Sequence, residues 1–126
     1  MRVRYIIHPG EGYIDSVFEG SVTLSELGAY VQRVWSDPAW RPEFSGLMDF
    51  SGATIDLSDA DIGTLMKSML SDPRCSFARW AFVVKTAADF GRLRKVDALV
   101  DREATLRIFF SRNDAEQWLL SPRKES

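Results

Sequence analysis

Apolar and polar residues alternate from the first positions of the chain. The period of two in Arg2-Val3-Arg4-Tyr5-Ile6-Ile7-His8 predicts a strand. Pro9-Gly10-Glu11-Gly12 supplies a turn and residues 13–19 a second strand, so the simplest outcome is an antiparallel pair. The period then lengthens. Leu24, Leu27, Val31 and Val34 share one helical face, and Asp37-Pro38 ends that helix. The loop that follows carries two large rings, Trp40 and Phe44, expected to pin it to the body. Ser45 to Ser51 predicts a strand, Gly52 follows, and 53–57 reads as a connector. Ile62, Leu65, Met66, Met69 and Leu70 give the cleanest helical stripe, in a helix from Ser58 to about Leu70. Phe77 to Val84 is almost continuously apolar, which suits a strand covered on both faces. Phe90, Leu93, Val96 and Val100 line a third helix reaching about Asp101. Gly91 weakens it by up to roughly 1 kcal/mol, so packing there is expected to demand a small residue. Thr105 to Phe110 is the last strand. Ala115, Trp118 and Leu119 mark a fourth helix that Ser121-Pro122 stops. The order ββαβαβαβα predicts an α/β domain with a mixed, mostly parallel sheet. Its first strand is antiparallel, four helices pack on it, and the crossovers are right-handed.

Each predicted helix opens on a hydroxyl residue with an acid three positions later. The pairs are Thr23 and Glu26, Ser58 and Asp61, Thr86 and Asp89, and Ser111 and Asp114. Such a hydroxyl accepts from orphan N–H groups of the first turn, and the acid sits at the positive end of the helix dipole. Val22 with Leu27, and Leu57 with Ile62, add hydrophobic staples. Ser16 and Glu19 show the same spacing inside a predicted strand, so the pattern is not by itself a helix start.

The 126 residues are read as a single domain over 1–126 with a loose tail at 121–126. The single cysteine, Cys75, excludes an internal disulfide and any multi-cysteine metal site, and fits a reducing compartment. No apolar run approaches the length that crosses a bilayer, and the chain opens on a strand rather than a signal peptide. A cytoplasmic location without membrane insertion is therefore expected. Residues 1–63 carry 4 basic and 10 acidic side chains, and residues 64–126 carry 12 and 8. That asymmetry points to solvated helix faces or to a basic patch for an anionic partner. The pI of about 5.4 argues against nucleic acid as that partner.

Little of the chain carries catalytic chemistry. Gly10-Glu11-Gly12 lies on a strand-to-strand turn with no helix after it to bind a phosphate. His8, the only histidine, lacks a nucleophile elbow and metal-ligand spacing. Arg74 could lower the pKa of Cys75, but a small, partly buried apolar side chain explains that residue equally well. Asp49, Asp56, Asp59 and Asp61 cluster in sequence, with Asp59 and Asp61 already employed in a first helical turn. Arg92, Arg94 and Lys95 form a basic segment, a candidate docking patch for phosphate or an acidic partner. No cofactor and no metal are expected.

The order of elements resembles the STAS superfamily, the fold of anti-sigma-factor antagonists, and more closely its small SpoIIAA-like bacterial branch. The resemblance spans roughly residues 2–120. It is carried by Gly20-Ser21-Val22-Thr23-Leu24 and Gly46-Leu47-Met48-Asp49-Phe50-Ser51. Phe90-Gly91-Arg92-Leu93-Arg94, Arg107-Ile108-Phe109-Phe110 and Ala115-Glu116-Gln117-Trp118-Leu119 add to it. The resemblance implies a Ser or Thr at the start of the second helix that a partner kinase phosphorylates, within Asp, two hydroxyl residues and Gly. Here Asp56 and Ser58 match that motif, while Leu57 and Asp59 depart from it. Asp59 places an anion beside any phosphate, which is unfavourable without compensation.

The leading expectation is a non-catalytic regulatory or protein-interaction module. Its surface comprises Ser51, Gly52, Asp56, Ser58 and Asp59, around the start of the second helix and the connector before it. Its partner would be a protein or a kinase. The alternative is a carrier or sensor of a small apolar or lipid-like ligand, suggested by Met66, Met69, Trp35, Trp40, Phe77 and Phe90. An enzyme would need converging ionisable groups, best sought around Asp49, Ser51 and Asp56. A two-fold homodimer is the ordinary expectation for self-association, and no residue marks its interface.

Overall fold

The computed structural model describes residues 1–71, 79–97 and 106–121. Its strands are β1 (Arg2–His8), β2 (Tyr13–Val22), β3 (Ser45–Ile55), β4 (Trp80–Val83) and β5 (Leu106–Phe109). Its helices are α1 (Leu24–Trp35), α2 (Asp59–Ser71), α3 (Ala87–Asp97) and α4 (Arg112–Leu120). The sheet runs in sequence order β1-β2-β3-β4-β5, with β1 and β2 antiparallel and every later pair parallel. Successive parallel neighbours added in one direction along the sheet bring α1, α2 and α3 to one face, as crossovers of a single hand do.

Period-two alternation divides the sheet between two cores. Ile14, Phe18, Met48, Phe50, Trp80 and Phe82 face α1–α3 and meet Leu27, Tyr30, Val34, Ile62, Met66 and Leu93. Tyr13, Leu47, Ala81 and Val83 point the other way, against Ala115 and Leu119 of α4. The continuous apolar run in β4 is thus covered on both sides, as a central parallel strand requires. Arginines hold both ends of α4. Arg112 anchors the first turn, and Arg79 Nη1 donates to the Trp118 and Ser121 carbonyls at 2.7 and 3.1 Å. Trp40 packs edge-to-face on Phe44 with centroids 5.9 Å apart and lies 6.2 Å from Trp80, so the loop rings are buried as expected.

All four predicted caps form. Thr23, Ser58, Thr86 and Ser111 accept from the backbone N–H of Glu26, Asp61, Asp89 and Asp114 at 3.4, 3.0, 3.1 and 3.3 Å. Ser16, the counterexample, sits in β2 with its hydroxyl bonded to that of Tyr30.

Three expectations need correction. First, β2 runs to Val22 and β3 to Ile55, so the connector shrinks to 56–58. A register shift between Val17 and Glu19 lets the ladder resume as Glu19↔Gly52 and end at Val22↔Ile55, converting apparent loop into strand. Second, a Cβ at Gly91 would meet nothing within 4 Å, so packing does not require glycine there. Third, Arg79 and Val84 lie outside β4, which spans Trp80–Val83, while positions 77–78 of the expected strand fall outside the described residues. Phe77, Cys75, Val100, Arg102, most of the tail, and the side chains of Met69, Leu70 and Val96 lie outside what is described.

Candidate functional site

The start of α2 is built by a short connector pinned from both sides. The Asp56 N–H donates to the Val22 carbonyl at 2.9 Å, continuing the β2–β3 ladder one residue past the strand. Leu57 is buried and staples onto buried Ile62, which fixes the entry angle of the helix. Ser58, exposed, caps the first turn. From the neighbouring helix α3, Arg92 reaches across. Its Nη1 donates to the Ile55 carbonyl at 3.4 Å, its Nη2 to the Leu57 carbonyl, and its Nε to Asp59 Oδ1 at 3.3 Å. Lys95 Nζ lies 3.8 Å from Asp59 Oδ2. Two groups of residues that sequence reasoning kept separate therefore meet at one point. Arg92 and Lys95 surround Asp59 beside Ser58. Arg94, roughly 200° around α3 from Arg92, is exposed on another face.

The remaining residues assigned to this surface fall elsewhere. Gly52 is exposed within β3, and Ser51 turns back to Asp49, donating from its hydroxyl at 2.6 Å and its N–H at 2.9 Å. Asp49 belongs to a different constellation on the α4 face. Arg112 Nη1 donates to Asp49 Oδ2 at 3.2 Å, its Nη2 pairs with Asp15 Oδ2, and its Nε lies 3.2 Å from Glu116. Burial alone would lower the Arg112 pKa, but the hydrogen bond and charge of Asp15, with Asp49 and Glu116, hold it above its ordinary value. The Tyr13 phenol nearby is raised, by burial first and then by Asp15, Glu11 and Glu116. Asp15 Oδ1 is buried without a hydrogen-bond partner among the described residues. Neither Asp15 nor Arg112 was legible as a site residue, because they lie far apart in the chain. The only local signal was alternation, which puts Asp15 and Asp49 on one sheet face.

Of the carboxylates first grouped by proximity in sequence, Asp49 and Asp56 are thus in separate surroundings. Asp56 is exposed at the far end of β3, while Asp49 is buried and engaged by Ser51 and Arg112. Among the described residues no group of three His, Cys, Asp or Glu is placed to hold a metal ion. No helix among them is long and apolar enough to cross a membrane. His8 stacks on Tyr13 with ring centroids 4.7 Å apart.

The aromatic and methionine residues mostly fill the core. Met66 is buried, Trp40 sits under its loop, and Trp35 and Phe90 are half-buried against the α1–α3 side. Met66 helps line an apolar cavity between β3, β4, α2 and α3 of about 20 Å³. That volume is close to one water-sized sphere, so a lipid-like guest would have to open the core to enter.

No protein-family model matches the sequence, and no curated protein matches it. The fold does have a counterpart among solved structures. It is similar to an uncharacterised protein of the DUF3478 family with a SpoIIAA-like fold, from Shewanella loihica PV-4. The TM-score is 0.59 at 15% sequence identity, covering 94% of this chain and 92% of that one. The five-stranded mixed sheet and four helices described above are the SpoIIAA-like fold, as the resemblance implied.

Proposed function

We propose that this protein is a non-catalytic regulatory module that binds a protein partner through the start of α2, with Ser58 as the hydroxyl that is contacted or phosphorylated. The observation that carries the reading is the pairing of Arg92 and Lys95 with Asp59 beside the exposed Ser58. A phosphate there would bring about −1.5 to −2 charges next to Asp56, Asp59 and Asp61. Those acids oppose it, and the two cations supply the compensation that the sequence alone lacked. A phosphorylated Ser58 would compete with Asp59 and the Leu57 carbonyl for Arg92, so the modification would alter how α3 holds the connector. The resemblance to SpoIIAA-like domains implies an interaction module, and the separate surroundings of Asp49 and Asp56 accord with that.

A photo-reactive side chain placed at Asp56 in living cells tests the reading, with the same group at exposed Gln32 on α1 as control. A discrete protein adduct at position 56, absent at 32 and altered by Ser58→Ala or Ser58→Glu, is expected. Equal labelling at both positions, insensitive to Ser58, would remove the start of α2 as the interaction surface.

A further inference from the structure

Among the described residues strand β1 is an edge of the sheet. Its ladder partner is β2, so its outer row of backbone N–H and C=O groups faces away from the sheet. Beside that edge runs a groove of about 330 Å³, walled by Met1, by Val3 of β1 and by Glu26, Ala29, Tyr30 and Arg33 of α1. The four helical residues fall at i, i+3, i+4 and i+7, a single stripe of α1. No described residue of β2 lines the groove, so it opens on the outer side of the edge strand. Half-buried Val3 and buried Tyr30 make its floor. Tyr5, further along β1, is fixed by an edge-to-face contact with Tyr30 and a 2.9 Å hydrogen bond to Asp37.

The charge along this edge is lopsided. The Arg2 and Arg4 side chains are 79% and 74% exposed on the face of β1 opposite the groove and share one acid, Glu19, at 3.7 and 3.6 Å. Arg33 stands exposed at the groove rim. Glu26, the acid in the groove wall, is paired with the Met1 ammonium at 2.9 Å and accepts from the Thr23 hydroxyl at 3.2 Å. Asp37 is engaged by Tyr5 and by the Ala39 N–H. Ile6, 62% exposed beside Arg4, adds an apolar contact point on the open face.

We infer that the free edge of β1 accepts an extended acidic segment of a protein partner as an added strand, seating alternate apolar side chains in the β1–α1 groove and presenting the acids between them to Arg2 and Arg4. In this mode backbone pairing supplies affinity, and alternation of side chains supplies specificity. A second copy of β1 fits less well, because antiparallel pairing gathers Arg2 and Arg4 of both copies on one face, where like charges repel. The surface shares no residue with the start of α2, so the two readings fail independently.

The test is a titration of the isotope-labelled full chain with a blocked eight-residue peptide of alternating Glu and Val, followed by amide chemical shifts. Shifts confined to β1 and to the Glu26–Arg33 stripe are expected, with none from the matching Lys-Val peptide. Binding should weaken about tenfold or more in the Arg2→Glu/Arg4→Glu double variant. Ala29→Gln, which fills the groove from an exposed position, should weaken it similarly, and Ser58→Ala should leave it unchanged. No shifts at β1, equal binding of the lysine peptide, or full binding by both groove and charge variants would overturn the inference. Self-association of the free protein through β1 would also overturn it, by assigning the edge to a second copy.

Discussion

The contact between Gly46 and Trp80 offers the sharpest test of the packing. A Cβ at Gly46 would stand 2.5 Å from Trp80 Cε3 and nearer still to Cζ3, with Cη2 at 3.0 Å. Carbon atoms pack comfortably at about 3.5–4.0 Å, so in Gly46→Ala the indole must retreat by about 1 Å or more. It has little room to do so. Trp80 is buried, tilted against Trp40, and Trp40 in turn stands edge-on to Phe44. Overpacking of this kind costs about 1–3 kcal/mol. Restricting the unfolded chain offsets about 0.4–1 kcal/mol of that. The balance is a net loss of up to about 2.6 kcal/mol, and the 2.5 Å or shorter approaches put it toward the upper part of that range. In urea unfolding this appears as a lower midpoint at unchanged slope, and in a thermal scan as a fall of about 4 °C per kcal/mol. The mechanism makes a stronger demand in a double-mutant cycle. Trp80→Phe shortens the ring system, so Gly46→Ala should cost much less in that background. If Gly46→Ala is neutral, or costs the same with Phe at position 80, the steric argument is wrong.

Three further outcomes follow from the same geometry. Gly91→Ala, in open space on α3 and not at positive φ, should stabilise the protein by about 0.5–1 kcal/mol, read as a higher urea midpoint. Arg112→Gln strips the cation from Asp15 and Asp49; because its side chain is 34% exposed, a loss of about 1–3 kcal/mol is expected rather than the larger cost of a fully buried pair, with part recovered by Asp15→Asn. Burial pushes the Tyr30 phenol well above its ordinary value against the opposing hydrogen bond from Ser16, and burial also raises Tyr5 and Tyr13. Above about pH 10 the unfolded chain loses phenolic protons that the folded chain keeps, so stability is whole below that pH and falls above it. The Tyr30 share of the fall is about 1.4 kcal/mol per pH unit. Urea unfolding between neutral and strongly alkaline pH should show this fall, and Tyr30→Phe should flatten it; an unchanged slope would refute the assignment.

Local signals carried much of the architecture. The hydroxyl caps at Thr23, Ser58, Thr86 and Ser111 are satisfied within four residues, so their chemistry is written where it acts. The alternation of Trp80, Phe82 and Val84 against Ala81 and Val83 likewise separates the two cores. Failures came where a partner distant in sequence decides. Residues 53–55 look like loop until β2 pairs with them beyond the register shift. Gly91 looks constrained until the space around it is known to be open. The two halves of the α2 site were each visible, Ser58 with Asp59 and Arg92 with Lys95. Nothing local joined them, because the crossover from β3 through α2 and β4 to α3 sets their meeting. Arg112 was invisible for the same reason, being 97 positions from Asp15.

The lone position of α4 bears on how the chain comes together during synthesis. Strands added in numerical order let each one dock on a neighbour already made, so the sheet and its three-helix side can grow from the N-terminus as the polypeptide emerges. Among the described residues, Leu47, Ala81 and Val83 are covered by Ala115 and Leu119 of α4, with Trp118 packed alongside, and α4 is made after all five strands. Until α4 docks, that greasy strip of central sheet stays uncovered.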